Sequence, residues 1–330
     1  MAEYINIRGQ NIEVVASDPA NPTLGQIWYN STSNTLKGGG VTTAGSWASG
    51  GNLNTARYVL AATGTQTAAL AFGGYDTANQ TATEEYNGLS WTNSNPLNTA
   101  RNGLAGCGTQ TAGLAFGGNA GPAYTNVTEE YDGNSWVTSP GSLNTTRAFL
   151  ARAGTQTAGL AMGGFLNTAV RTGSTEEYNG SSWTASTSLS TARHVLSGGG
   201  IQTDAVAFGG AVPGTPPYTG VTEEYNGSTW TTGGTMNQAR GQGAGAGASG
   251  SAAIGVAGYY PPGVSANNTE LYNGISWTNE ATVSSGRFDT SAAGTTQAAL
   301  LIGGFLPPYT AATEEWTGPG VPQTKTITAS

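Results

Sequence analysis

Six arginines recur along this chain at intervals of 44 to 47 residues: Arg57, Arg101, Arg147, Arg193, Arg240 and Arg287. Behind each comes a glycine doublet, at Gly73-Gly74, Gly117-Gly118, Gly163-Gly164, Gly209-Gly210 and Gly303-Gly304, with Ala257-Gly258 in the fifth copy. An aromatic after an acidic pair follows, at Tyr86, Tyr131, Tyr178, Tyr225, Tyr272 and Trp316; before Tyr272 only one acid remains, in Glu270-Leu271. Last come Trp91, Trp136, Trp183, Trp230 and Trp277. A fixed period of this length marks one supersecondary unit copied in series, each copy burying its apolar face against the next.

Two hairpins fit the unit. In the first copy Tyr58 to Gly64 and Thr67 to Phe72 read as strands with Thr65-Gln66 between them. Thr83 to Tyr86 reads as the third strand, Asn87-Gly88 opens a turn, and Trp91 lies on the fourth. Asn-Gly between apolar strands is a hairpin signal because both residues tolerate positive φ. Four strands in about 45 residues is the arithmetic of a propeller blade. The expected fold is therefore all-β: a six-bladed β-propeller of four-stranded blades. Ala- and Gly-rich first strands would crowd the axis, and Tyr and Trp would fill the wider space outside.

Only five tryptophans fall after a turn inside the units. Trp47, ahead of the first arginine, is expected to supply the outer strand of the last blade, so that an N-terminal strand closes the ring and removes a free sheet edge. The expected divisions are an N-terminal extended and hairpin segment over 1–36, the propeller over 37–317, and a C-terminal strand or tail over 318–330. In the first segment Tyr4 to Val15 reads as extended, and Ile27 to Asn30 with Thr35 to Lys37 as a hairpin. Thr324 to Thr328 reads as a strand that either competes with Trp47 for the last blade or lies outside it.

Composition removes several function classes. The 52 glycines and 9 % charged residues would suit disorder, but 37 % of the chain is hydrophobic and the aromatics are periodic. The formal net charge is −8, and Lys37 and Lys325 are the only lysines, so nucleic acid and anionic membrane should be repelled. One cysteine, Cys107, makes no intrachain disulfide; it is expected to be buried filler on a first strand. No basic-then-apolar start suggests a signal peptide, and no apolar run approaches the roughly 18 residues of a membrane span.

The order Arg, Gly-Gly, Tyr, Trp resembles kelch repeats over about residues 48–317. The segment from Asp18 to Asn30, with Pro22-Thr23-Leu24-Gly25-Gln26-Ile27-Trp28-Tyr29-Asn30, resembles the N-terminal parts of tail-fibre and other virion proteins of marine bacteriophages. The run from Gly108 to Gly118 looks like phage-borne kelch-like proteins. The resemblance implies a phage virion structural protein, either a tail fibre or a capsid or tail surface decoration, located on the extracellular particle. Its partners would be other virion proteins, reached through the N-terminal segment. The alternative is a carbohydrate-binding, lectin-like receptor-recognition protein that attaches to host-surface glycan. Neither reading calls for nucleic acid or membrane insertion, and both admit a homo-oligomer. A third reading, an intracellular kelch-type adaptor, ranks lower because the partner domain usually fused to it is missing.

No catalytic residue, metal or cofactor is expected, and the chain is read as not an enzyme. The copper radical oxidases among kelch-type folds use two His and a Tyr-Cys crosslink, whereas this chain has one His, His194, and one Cys. His194 is read as a surface or strand-entry variant of the position after the arginine. Residues 222–230 loosely resemble a sialidase Asp-box, which is a structural turn. The six arginines and the paired acids Glu84-Glu85, Glu129-Glu130, Glu176-Glu177, Glu223-Glu224 and Glu314-Glu315 have two readings. Repetition favours a structural one, each Arg bonding a carbonyl or carboxylate between blades, over an anion or sugar site at the axis. Strand neighbours point to opposite faces, so one pair cannot chelate a cation together. Recognition is expected instead in the variable loops after the second strands, at Tyr75, Tyr124, Phe165, Tyr218, Tyr259, Tyr260, Phe305 and Tyr309.

Overall fold

The computed structural model describes residues 12–19, 26–41, 44–167, 170–214, 217–260, 263–320 and 322–327. The expected strand before residue 12, residues 20–25 of the virion-like segment, the loop prolines Pro216, Pro261 and Pro262, and Thr328 lie outside the described residues. Every regular element among the described residues is a strand. The chain divides into two compact units, Met1–Gly45 with Gly318–Ser330, and Ser46–Thr317.

The smaller unit is one four-stranded sheet. Glu13–Val15 runs parallel to Ile27–Asn30, which pairs antiparallel with Thr35–Val41, which in turn pairs antiparallel with Pro322–Thr326. Asp18 ties it together: its carboxylate accepts from Lys37 Nζ at 2.6 Å, Asn30 Nδ2 at 2.7 Å and the Trp28 indole at 3.1 Å. These three donors hold the Asp18 carboxyl down at about 2. The boundary expected after residue 36 is displaced to Gly45, because the strand that starts at Thr35 continues to Val41. The C-terminal strand pairs along that continuation, opposite Lys37 to Val41, and so does not contend for the place of Trp47.

The larger unit contains six four-stranded antiparallel sheets, numbered here by their arginines from repeat one (Arg57) to repeat six (Arg287). Repeat one is built from Ala61–Gly64, Ala69–Phe72, Thr83–Tyr86 and Trp91–Ser94, paired in chain order. Repeat six takes Ser291–Gly294, Ala298–Ile302 and Thr313–Thr317 from its own stretch, and its fourth strand is Ser46–Ser49, with Trp47 opposite Trp316. The first strands neighbour one another in cyclic order, repeat six against repeat one included. Their small side chains follow from that crowding. A Cβ added to Gly106 would stand 2.2 Å from the Phe72 ring of the preceding repeat, which leaves no room for alanine.

First strands begin later than the sequence suggests. Tyr58 makes an isolated bridge to Tyr75, and the regular ladder starts at Ala61, because Val59 between them adopts φ 53° and cannot continue a strand. In the opposite direction, the fifth variable loop is largely strand. Ala252–Tyr260 and Val264–Tyr272 form one long hairpin that pairs Tyr259 with Ser265 and Tyr260 with Val264.

Each residue of the repeated motif has a defined partner. The arginines are almost fully buried, and each pairs with the first glutamate of its own repeat: Arg101 with Glu129 and Arg193 with Glu223 at 3.0 Å, Arg147 with Glu176 and Arg287 with Glu314 at 3.1 Å, and likewise Arg57 with Glu84 and Arg240 with Glu270. The expectation that these arginines bridge neighbouring blades is therefore corrected, since side chain and carboxylate lie within one repeat. The carboxylate also accepts from the loop ahead of the arginine, as Glu84 does from the Asn54 amide, so the ion pair fixes how each repeat enters its sheet.

The second glutamate faces the other way and joins repeats. Tyr86 donates its hydroxyl to Glu315, Tyr131 to Glu85, Tyr178 to Glu130, Tyr225 to Glu177 and Tyr272 to Glu224, each reaching the repeat before its own. Burial and the facing carboxylate push the Tyr131 hydroxyl up to about 12, which keeps it a donor. The tryptophans reach back in the same sense. Trp91, Trp136, Trp183, Trp230, Trp277 and Trp47 donate to the hydroxyls of Thr313, Thr83, Thr128, Thr175, Thr222 and Thr269 at 2.9 to 3.2 Å. Glutamines in the turns after the first strands add a third tie. Gln110, for example, donates to the carbonyls of Ala69 and Tyr86.

Candidate functional site

The repeated arginines and first glutamates are consumed in buried pairs, and other residues line the space enclosed by the six first strands. Two residues after each arginine stand Val59, Gly103, Phe149, Val195, Gln242 and Asp289. All six adopt left-handed backbone, with φ between 46° and 59°. Their amides form a closed cycle: Val59 N–H donates to Asp289 O, Gly103 to Val59, Phe149 to Gly103, Val195 to Phe149, Gln242 to Val195 and Asp289 to Gln242, at 2.7 to 2.9 Å. Left-handed valines are sterically disfavoured, and positions of this kind are held by the surrounding structure. Here the hydrogen-bond cycle and the flanking sheets hold them.

This cycle floors a bowl of about 410 Å³, whose wall carries Tyr58, Tyr75, Tyr124, Phe149, Phe165 and His194. Tyr124 meets Phe149 edge-on with centroids 6.1 Å apart, and Phe165 stacks on His194 at 4.5 Å. Burial and the nearby Arg171 hold the His194 imidazole down at about 4, so it is neutral. One sector of the floor is polar. Gln242 Nε2 donates to both oxygens of Asp289 at 3.1 and 3.2 Å, and Gln242 Oε1 accepts from the Tyr218 hydroxyl at 3.0 Å. Burial pushes the Asp289 carboxyl up to about 7, with the Gln242 bond opposing it.

Below the floor is a chamber of about 90 Å³, then Arg152, then a second space of about 100 Å³. Arg152 crosses the axis. It donates Nε–H to Gly106 O at 2.7 Å, Nη1–H to Gly245 O at 3.1 Å, and Nη2–H to Ala62 O and Ala292 O at 3.0 and 2.7 Å. One guanidinium thus braces carbonyls from four other first strands, and no salt bridge to it is found among the described residues.

The predicted recognition residues separate into two groups. Tyr75, Tyr124 and Phe165 line the bowl. Tyr218, Tyr259, Phe305 and Tyr309 continue its aromatic wall through ring contacts that run from Tyr218 to Tyr259, Phe288, Phe305 and Tyr58, with Tyr309 stacked on Tyr58 at 6.1 Å. Tyr260 sits on the hairpin opposite Val264. All eight are half-buried rather than freely exposed. His194, read from the sequence as a surface or strand-entry variant, bridges Ala211 ahead of the first strand of its repeat and lines the bowl. Cys107 is buried beside the second space, and burial pushes its thiol up to about 12.

Asp289, Gln242, Phe149 and Arg152 were not singled out by the sequence. The signal was present: at a constant offset from the arginine, the copies diverge to Val, Gly, Phe, Val, Gln and Asp. Likewise Arg152 stands where the other copies have Ala62, Gly106, Gly198, Gly245 and Ala292. Among the described residues no three His, Cys, Asp or Glu side chains converge as a metal site. No protein-family model matches the chain, and no curated protein matches it in sequence.

Proposed function

We propose that the larger unit is a six-bladed kelch-like β-propeller acting as a binding module, and that the chain is a structural protein displayed on a bacteriophage particle. The ring is supported by the closed amide cycle and by the six tryptophan-to-threonine bonds, in which Trp47 of the sixth sheet reaches Thr269 of the fifth. A non-catalytic role is supported by the use of every repeated arginine and first glutamate in a buried pair. The observation that carries the display role is the division of the chain. Strands from either side of the repeats join in one small sheet, and the repeats form a unit of their own. In this reading the small sheet attaches to other virion proteins and the repeats face outward.

Expression of residues 46–317 alone tests it. The fragment should fold with Trp91, Trp136, Trp183, Trp277 and Trp316 buried and be absent from particles assembled with it in place of the full chain. Normal incorporation would defeat the anchoring role.

A second reading, recognition of a host-surface carbohydrate, is favoured by one feature, the aromatic bowl. Tyr75→Ala with Tyr124→Ala should abolish attachment of the protein to host cells without lowering its melting temperature. Unchanged attachment would remove this reading.

A further inference from the structure

We propose that the bowl binds an organic ammonium group, held by Asp289 and enclosed by the rings of Tyr58, Tyr75, Tyr124, Phe149 and Phe165. The inference rests on the binding role given above and names the ligand chemistry of that site.

Three features point to a cation. The first is the wall: aromatic faces carry negative electrostatic potential and attract an ammonium, most strongly where water is excluded. The second is Asp289. Gln242 fixes both of its oxygens, Tyr218 fixes Gln242, and no salt bridge reaches Asp289 among the described residues. A carboxylate has about four lone-pair sites, so two amide hydrogens leave capacity for a ligand.

The third is charge. The titratable groups facing Asp289 are the Tyr58 and Tyr218 phenols, with neutral His194 on the opposite wall. Arg152 lies beneath the floor, its donors occupied by carbonyls. Arg171 is a like charge at the wall, over the Phe165 ring at 5.9 Å on the His194 side, so a cation is favoured on the Asp289 side, whereas an anion there would face the carboxylate. A neutral sugar could stack on the rings but would leave that carboxylate uncompensated. The volume of about 410 Å³ suits a small headgroup or a single ring.

An amino sugar of a surface polysaccharide and a quaternary ammonium headgroup share this chemistry, and titration of the full chain by calorimetry distinguishes them. The probes are choline, glucosamine, N-acetylglucosamine and glucose. Choline and glucosamine should bind at least about tenfold more tightly than the two neutral sugars. The tighter of the two cations identifies the source. Choline carries a permanent charge, so its pH dependence reports the protein. With the carboxyl near 7, choline affinity should fall about tenfold between pH 8 and pH 6.

Asp289→Asn keeps the shape, and asparagine tolerates the φ of 53° at this position. It should weaken choline binding by more than about tenfold and remove the pH dependence. Tyr75→Ala, on the bowl wall, should weaken choline binding with the Asp289 response intact. Equal binding of neutral sugars would overturn the ammonium assignment and leave the binding role standing. So would unchanged choline affinity in Asp289→Asn, or failure of both cations to bind at pH 8. The host-cell attachment test above fails or succeeds independently of these outcomes.

Discussion

Trp316 and Leu271 share one apolar cluster, Leu271 at its half-buried edge, and the two depart together from a pair found at every other junction between repeats. Elsewhere a buried tyrosine donates its hydroxyl to the second glutamate of the preceding repeat. At the junction of repeats five and six neither the hydroxyl nor the carboxylate exists, and an indole and an aliphatic side chain take their positions instead. Trp316 also takes Trp47 as a ring neighbour, with centroids 5.2 Å apart.

Replacing one member of this pair should cost more than replacing both. Leu271→Glu leaves a carboxylate against an indole, and Trp316→Tyr leaves a hydroxyl without its acceptor. The double variant recreates the pair used elsewhere. A double-mutant cycle from urea unfolding should give a coupling of about 1–3 kcal/mol in favour of the double variant.

The buried arginine-glutamate pairs should show the asymmetry of such pairs. Arg101→Met alone strands Glu129 and should destabilise the fold by about 3–5 kcal/mol. Arg101→Met with Glu129→Leu should recover most of that loss. Chemical denaturation of the three proteins reads the difference.

Arg152→Ala should lower unfolding free energy by about 2–3 kcal/mol, because charge-assisted bonds to carbonyls of four strands are lost together. Lysine at this position should restore less than half of it, as a point charge cannot reproduce the planar fork. Urea titration measures both.

Asp289 predicts a pH dependence of opposite sign to that of a salt-bridged acid. Its folded value near 7 lies above the ordinary 3.8, so the charged form disfavours folding. The cost is absent below 3.8, grows as pH rises from there, and is complete above about 7. Asp289→Asn should therefore raise the melting temperature at pH 8 and leave it unchanged at pH 3.5.

Cys107 should be inert to thiol reagents in the native protein. Its thiol is buried and pushed up to about 12, which removes the reactive thiolate at neutral pH. Absorbance on reaction with a disulfide reagent should appear only after denaturant is added.

The period, the strand content and the place of Trp47 beside Trp316 were legible because they depend on what the copies share. The opposite faces of Glu84-Glu85 were legible from strand alternation, although it did not name Arg57 as the partner of one and Tyr131 as the partner of the other. The bowl was not legible, for a physical reason. Asp289 and Gln242 act through an amide cycle in which residues about 47 apart in sequence become neighbours, and their backbone is left-handed where a strand was expected. Arg152 was not legible because it stands once, outside the period of the six repeated arginines. Its meaning appears only when five small residues around it leave room for one long side chain. The variable aromatics drew attention as exposed loops, yet Tyr259 lies on a strand and Tyr58, outside those loops, joins their rings.

The sixth sheet takes its outer strand from residues that precede the first repeat. During synthesis Ser46–Ser49 must wait for all the intervening repeats before its partner strand, Thr313–Thr317, is made. Once made, the strand carrying Trp316 offers an unpaired edge to any extended neighbour until Ser46–Ser49 docks on it. This pairing thus unites the two flanks of the repeat array, and a chain lacking Ser46–Ser49 carries an open edge suited to pairing between molecules.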